Sequence, residues 1–287
     1  MMHMDGGKRI LAIETTGRAG SVCVASGATV LAREALASDA RHAGGLHAAI
    51  DRLVRGQGWA PDSLNEVYIS AGPGSFTGAR IGITVARTLA WATGARIVRV
   101  PTVDVLAQNA LQANPPPKYV AVVLDAKRAQ IFTALFALAD TRHSVPHAEG
   151  VGYPPAAHAQ PAYEKIIDAT LVEPLEFLTK NVPDRIVSLP RPDATGHPHP
   201  AEPPAVAVLG EGVEYHRKAI EEARAIVLPR ELWSAQAEAV HAVGYRMAAA
   251  GLYCDPGDCV PIYVRIPEPE EKWLAKEAAM RRSNAAT

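Results

Sequence analysis

Apolar and polar positions near the start of the chain fall into two short blocks. Residues 10–13 and 21–25 are apolar and flank the polar break Glu14-Thr15-Thr16-Gly17, which predicts a two-stranded hairpin. A third run, 29–36, extends it. Leu46, Ile50, Leu53 and Val54 then recur at i, i+4, i+7 and i+8, the stripe of a helix that ends near Gly56-Gln57-Gly58. After it the pattern predicts a strand at 67–71, a Gly-rich loop at 72–78 and a helix at 79–93. A strand at 96–100 and a helix at 102–113 follow. Strand, helix, strand, helix requires right-handed parallel crossovers. The first part is therefore an α/β layer on a mixed sheet.

Asn114-Pro115-Pro116-Pro117 fits neither a helix interior nor a central strand and marks a boundary. Beyond it, 119–124 and 131–138 predict a second hairpin around Asp125-Ala126-Lys127-Arg128, so the second half opens as the first did. The pattern then breaks. Twelve of the 23 prolines lie between 146 and 204, with His147, His158, His197 and His199 among them and His143 just before. This composition predicts an irregular insertion, within which 163–178 could form a helix. Order resumes with a strand at 206–210, a helix through Ala223, a short strand at 226–228, a helix at 235–251 and a last strand at 261–265. Residues 268–282 read as a charged, solvated tail.

The chain has 287 residues, with 30 acidic and 29 basic side chains and a formal charge of −1. That balance excludes a generic polyanion binder. No apolar run reaches the roughly 20 residues of a membrane span, and the start has no signal-like apolar segment, so a cytoplasmic protein is expected. Three cysteines, Cys23, Cys254 and Cys259, make no disulfide framework and no zinc spacing; they read as small apolar residues in a reducing compartment.

The Gly-rich loop carries the most chemistry. Gly72, Gly74 and Gly78 permit close backbone approach, and Ser75 or Thr77 can cap the helix that follows, whose free N–H groups favour an anion. It is neither a Walker A loop nor a dinucleotide fingerprint. Phosphate binding and a purely structural turn both fit it. Gly210-x-Gly212 could admit an adenine, but so short a motif discriminates little.

Four segments carry a resemblance: ILAIETT near the start, GPGSFTGARIGITVARTLAW at 72–91, LDAKRAQIFTALF at 124–136 and PIYVR at 261–265. Their order and spacing resemble the TsaB (YeaZ) family of tRNA threonylcarbamoyladenosine biosynthesis proteins, well over residues 8–138 and loosely over 205–265. The Pro/His-rich insertion departs from that family. The resemblance implies an α/β actin-like ATPase (ASKHA) fold of two RNase-H-like subdomains with mixed sheets. The first would span 8–113. The second would span 118–265, with the insertion at about 146–204 and a helix, 235–251, free to return to the first. A charged tail, 266–287, would close the chain.

The resemblance also implies a role. TsaB is a paralogue of the catalytic subunit TsaD and pairs with it. With the ATPase TsaE, they transfer a threonylcarbamoyl group to an adenosine beside the tRNA anticodon. TsaD-like proteins carry two metal-binding histidines four apart; here Thr102 and Leu106 stand at those positions. Thr is a poor ligand and Leu none, so neither metal nor catalytic residues are expected. His42 and His47 are no substitute, because five helical residues turn their side chains about 140° apart. For nucleotide, Glu14, Thr15, Thr16, Gly72, Gly74, Ser75 and Asp125 are the candidates. Glu14 and Asp125 would either hold Mg²⁺ between the halves or simply cap turns. No cofactor is expected to bind tightly, although ATP or ADP with Mg could sit at or near the partner interface. Leu46, Ile50, Arg80, Ile83 and Arg87 are the candidates for that interface, to TsaD or to a second copy, with Ile50 and Ile83 equally suited to the intramolecular core.

Three functions compete. One is a non-catalytic partner that activates TsaD, reaching TsaE and tRNA through the complex. Another is an autonomous ATP-dependent phosphotransferase or ATPase. The third is a metallopeptidase, since relatives have carried glycoprotease labels; the missing histidine pair opposes it. Arg80, Arg87, Arg96, Arg99, Lys276, Arg281 and Arg282 are the basic residues available to tRNA.

Overall fold

The computed structural model describes residues 7–36, 42–139, 162–188 and 205–263, together with 273, 276 and 277. Among them, ten strands make two five-stranded sheets of one topology. The first contains β1 (Arg9–Glu14), β2 (Ser21–Ser26), β3 (Thr29–Ala35), β4 (Glu66–Ser70) and β5 (Arg96–Val100), in the order β3-β2-β1-β4-β5. The second contains β6 (Tyr119–Asp125), β7 (Ile131–Leu138), β8 (Tyr163–Val172), β9 (Ala207–Leu209) and β10 (Ile226–Val227), in the order β10-β9-β6-β7-β8. In each, the hairpin strands pair antiparallel and the later two pair parallel. The echo between the two hairpin openings is thus a repeat of topology.

The helices of the first half are α1 (His42–Gly56), α2 (Phe76–Thr93) and α3 (Thr102–Asn109), the last tightening into a 3₁₀ turn at Ala110–Gln112. In the second half, α4 (Pro174–Glu176), a π turn (Phe177–Asn181) and α5 (Val182–Ser188) run together, followed by α6 (Val213–Glu222) and α7 (Ala237–Ala249).

Strand alternation explains the layering. Leu11 and Ile13 on one face of β1 join Val22 and Val24 beneath α1 and α2, with Leu46, Ile50, Leu53 and Ile83. Ile10 and Ala12 on the other face join a core that runs through α3 and α7 to the second sheet. Helix α7 packs across β1, β2, β4 and β5 of the first sheet, although it follows the second in sequence. Its first N–H, of Ala237, donates to Ser21 Oγ at 2.9 Å, and His241 Nε2 meets the Gly27 carbonyl at 2.9 Å. Burial pushes the His241 imidazole below its ordinary pKa, which suits a neutral ring donating that bond.

Two expectations are corrected. Residues 163–172 are a strand, not the start of a helix. The β-branched residues Ile166, Ile167, Thr170 and Val172 favour the pleated edge beside β7. Register shifts around Leu135 break the alternation that would have marked it. Pro261, Ile262 and Tyr263 form no strand. Pro261 has no N–H to give, and a single backbone bond, Ile262 N–H to the Ala71 carbonyl at 2.8 Å, joins the segment to the sheet. Val264 and Arg265, most of the insertion and nearly all of the charged tail lie outside the described residues.

Candidate functional site

The turn after β1 and the Gly-rich loop after β4 interlock. Ser75 N–H donates to the Thr16 carbonyl at 2.7 Å, and Thr15 Oγ1 donates to the Gly78 carbonyl at 2.7 Å. A Cβ on Gly78 would lie 1.8 Å from the Thr15 carbonyl oxygen, so only glycine lets α2 start there. Ser75 is the N-cap of α2, its Oγ accepting from Gly78 N–H at 3.1 Å. Gly72 turns the loop at φ +108°.

Behind this interlock lies a buried hydroxyl cluster. Thr102 Oγ1 accepts from Gly72 N–H at 3.0 Å and sits 2.8 Å from Ser70 Oγ and 3.1 Å from Thr16 Oγ1. Glu14 is fully buried beside it. Its Oε1 accepts from Thr16 N–H, from Thr16 Oγ1 at 2.6 Å and from Gly17 N–H at 3.1 Å. Its Oε2 is buried without a hydrogen-bond partner, and burial pushes the Glu14 carboxyl up despite the bonds to Oε1.

Across from this turn stands the start of the second hairpin. Asp125 Oδ1 accepts from Lys127 N–H at 3.1 Å and lies 3.2 Å from His216 Nε2, while Oδ2 pairs with Lys127 Nζ at 2.5 Å. Burial raises this carboxyl, but the Lys127 and His216 bonds outweigh it and hold Asp125 below the usual range. Lys127, Arg128 and Ala129 all have left-handed φ, between 53° and 63°. That conformation costs about 1–2 kcal/mol per non-glycine residue.

Between the two turns is a cleft of about 340 Å³, within the range of small-ligand sites. Thr16, Gly74 and Ser75 line one wall and Asp125 and Lys127 the other. Thr102, Leu106 and Trp233 also line it. Of the sequence candidates, Thr16, Gly74, Ser75 and Asp125 thus reach one cavity. Glu14, Thr15 and Gly72 do not line it; they are buried and build its wall. A magnesium ion held between Glu14 and Asp125 does not fit, because Glu14 is fully buried and does not line the cleft, its Oε1 taken up by its own loop, while Asp125 is engaged by Lys127 and His216. Gly210 and Gly212 serve packing rather than adenine: an added Cβ would meet the Val123 carbonyl at 2.4 Å or the Asp125 backbone N at 2.7 Å.

Sequence reading missed the cleft's charged bridge. Arg18 Nη1 lies 3.0 Å from Glu214 Oε2, and Arg18 Nη2 donates to Tyr215 Oη at 2.6 Å. Glu211 accepts the Arg18 backbone N–H. The two cations at the cleft, Arg18 and Lys127, are therefore each already paired with carboxylates of this chain. Glu211 sits inside the Gly210-x-Gly212 motif, the one local signal that pointed there.

The candidate interface residues separate. Leu46, Ile50 and Ile83 are buried under α1 and α2, which makes them core and not exposed contacts. Arg80 is exposed on the outer face of α2, and Arg87 is half-buried beside it, with its Nε enclosed. Arg80 stacks 3.8 Å over Phe76 and donates from Nε to Tyr263 Oη at 3.1 Å; Arg87 lies 5.0 Å from the Trp91 ring centre. Trp91 is 64% exposed, so this face presents aromatic and basic surface together. Arg96 and Arg99 face elsewhere, to Glu66 and to the Val260 carbonyl. Among the described residues, no three His, Cys, Asp or Glu side chains cluster as metal ligands, and no helix is long and apolar enough to cross a membrane.

Residues 30–283 match the family described as "TsaD: tRNA N6-adenosine threonylcarbamoyltransferase". The chain belongs to the TsaD family. Within the family it is similar to the TsaB proteins. It is 32% identical over 127 residues to the tRNA threonylcarbamoyladenosine biosynthesis protein TsaB of Bacillus subtilis (strain 168), covering 44% of this chain and 54% of that protein. The TsaB of Escherichia coli (strain K12) is also 32% identical, over 126 residues with the same coverage. The chain thus matches about half the length of these curated relatives. The solved structure of YeaZ from Pseudomonas aeruginosa superposes with a TM-score of 0.64 at 20% identity, covering 89% of this chain and 99% of that one. A second structure from that organism, of a protein with similarity to peptidase YeaZ, gives 0.65 at 20% identity, covering 90% and 100%. These likenesses support the two-sheet TsaB/YeaZ fold.

Proposed function

We propose that this chain is a non-catalytic partner subunit, cytoplasmic, that binds and activates a TsaD-type enzyme as it transfers threonylcarbamoyl to the adenosine beside the tRNA anticodon. One observation carries the reading. Where a catalytic family member would present two histidines, this chain has Thr102, whose hydroxyl serves Gly72, Ser70 and Thr16, and Leu106, which is buried at the cleft wall. Neither side chain can supply an imidazole ligand. The exposed face of α2 supports the partner half of the reading, because aromatic and arginine side chains are the enriched anchors of protein interfaces. TsaE and tRNA would be reached through the complex, and a homodimer would form through the same face when the partner is absent.

The cleft bears on the ATP-dependent alternative. It has the volume for part of a nucleotide, but its cations are occupied by carboxylates and its acidic pair does not fit magnesium. ATP or ADP at or near the partner interface is therefore proposed as a ligand of the assembled complex and not of this chain alone. Size-exclusion chromatography of this chain with the TsaD-type subunit of its own organism tests the partner reading. A one-to-one complex is expected; two species that elute separately at micromolar concentration would count against it.

A further inference from the structure

The far edge of the first sheet carries two thiols that the cleft does not use. Residues 253–261 read Tyr-Cys-Asp-Pro-Gly-Asp-Cys-Val-Pro. Asp255-Pro256-Gly257-Asp258 is a tight turn: Asp258 N–H donates to the Asp255 carbonyl at 3.1 Å and Gly257 N–H to Asp255 Oδ1 at 2.7 Å. Asp in the first place and Pro in the second are what a type I turn prefers. The turn folds the chain back between Cys254 and Cys259, the residues on either side of it. The ends of such a turn, Asp255 and Asp258, have Cα atoms within about 7 Å. A disulfide spans about 4.4–6.8 Å. Both cysteines are free; Cys259 lies in the core beneath α2, and Cys254 packs against that same cluster.

The two thiols are unequal. Cys254 is partly exposed and fixed to the sheet edge, its N–H donating to the Ile97 carbonyl at 2.8 Å. Cys259 is buried in the core beneath α2. Burial, with Cys254 beside it, pushes the Cys259 thiol up to about 12, against the charges of Arg99 and Arg87. Access therefore assigns Cys254 as the thiol that meets an oxidant, with Cys259 held behind it as the resolving partner. Cys23 is buried on β2 in the other core and cannot join them.

We propose that Cys254 and Cys259 are a redox modification site, a dithiol that a peroxide converts into an intramolecular disulfide. The Cys254 thiolate attacks a peroxide oxygen: an S–O bond forms, the O–O bond breaks, and with hydrogen peroxide one water leaves. Cys259 sulfur then attacks the resulting sulfenic acid; the S–S bond forms, the S–O bond breaks and a second water leaves. Two thiols lose two electrons and two protons, and the peroxide accepts them. The cross-link closes the base of a strap, residues 259–263, that passes Arg99 at Val260, Ala71 at Ile262 and Arg80 at Tyr263. Oxidation would thus stiffen a segment that touches the exposed face of α2.

The test is peptide mapping of the full chain after brief treatment with hydrogen peroxide and alkylation of the remaining thiols. The expected product is the tryptic peptide 247–265 lighter by two hydrogens and unalkylated, restored by dithiothreitol, with Cys23 still alkylated. Cys23→Ser should leave this product unchanged. Cys254→Ser should abolish it and slow peroxide consumption by about tenfold. Because Cys259 is buried, Cys259→Ser is not needed; the wild-type map decides. A peptide in which Cys254 carries extra oxygens while Cys259 remains alkylatable would overturn the proposal. So would a disulfide found only between chains, or thiols that stay reduced.

Discussion

Arg18 and Glu211, 193 residues apart in sequence, meet across the mouth of the cleft: the Arg18 N–H donates to Glu211 Oε1 at 3.0 Å, and Nε stands 3.5 Å from Oε2. Glu214 and Tyr215 hold the rest of the guanidinium. The first hairpin turn is in this way latched to α6 of the second half. The latch is half exposed, so it contributes little to global stability, on the order of 1 kcal/mol or less. Its consequence is local. The double variant Glu211→Gln, Glu214→Gln should free Arg18 for an anion and tighten ADP binding by calorimetry. Unfolding should shift by no more than about 1 kcal/mol. Unchanged ADP binding would mean that Arg18 is not what keeps the cleft closed to phosphate.

Glu66 is the polar hub at the other end of the first sheet. Oε1 accepts from Lys8 Nζ and Arg96 Nη2 at 2.8 Å and from Tyr253 Oη at 2.9 Å, while Tyr68 donates to Oε2. Burial raises this carboxyl, but the Lys8, Tyr68 and Tyr253 bonds and the Lys8 charge prevail and hold it below its ordinary value of 4.5. The unfolded chain therefore binds the proton first. The stabilisation is complete above pH 4.5 and is lost as pH falls through the lowered folded value. Glu66→Gln should cost about 2–3 kcal/mol at pH 7 in urea unfolding, with the difference from wild type shrinking in acid. An equal difference at both pH values would place the effect in packing and not in charge.

Gly78 tests the interlock that shapes the cleft. Its Cβ position falls on the Thr15 carbonyl, backbone that cannot move without breaking the Thr15–Gly78 bond. Gly78→Ala should destabilise the chain by about 3 kcal/mol, seen as a lowered melting temperature. Ser75→Ala, which removes only the cap, should cost about 1 kcal/mol.

The face of α2 separates core from partner surface. Trp91→Ala and Thr84→Arg change exposed positions and should weaken pairing with the TsaD-type subunit at least tenfold, read by chromatography or interferometry, while the melting temperature holds. Ile83→Glu should instead unfold the chain, because Ile83 is 3% exposed within the core. A folded Ile83→Glu protein that fails to pair would return Ile83 to the interface.

Much of this was legible in the sequence, for local reasons. β5 and β7 fall where the apolar runs placed them, because a short continuous apolar run bounded by turn residues fixes a buried strand without outside help. Thr16, Gly74, Ser75 and Asp125, which line one cleft, were legible as turn residues because turns at strand ends announce themselves by composition. What was missed is tertiary. Arg18, Glu211 and Tyr215 meet only once the two halves dock, and no local pattern links residues that far apart. The stripe of Leu46 and Ile50 shows that one face of α1 is apolar but not whether its own sheet or another subunit covers it. The strand at Tyr163–Val172 was hidden by bulges within it, opposite Leu135, and by the prolines around it.

The most direct measurement is reconstituted tRNA modification. The TsaD-type and TsaE subunits of the same organism are mixed with threonylcarbamoyl-adenylate, ATP and unmodified tRNA, with and without this chain, and modified adenosine is quantified by mass spectrometry. The account predicts modification only when the chain is present, and none from the chain alone. Equal modification without it, or modification by the chain without its TsaD-type partner, would contradict the account.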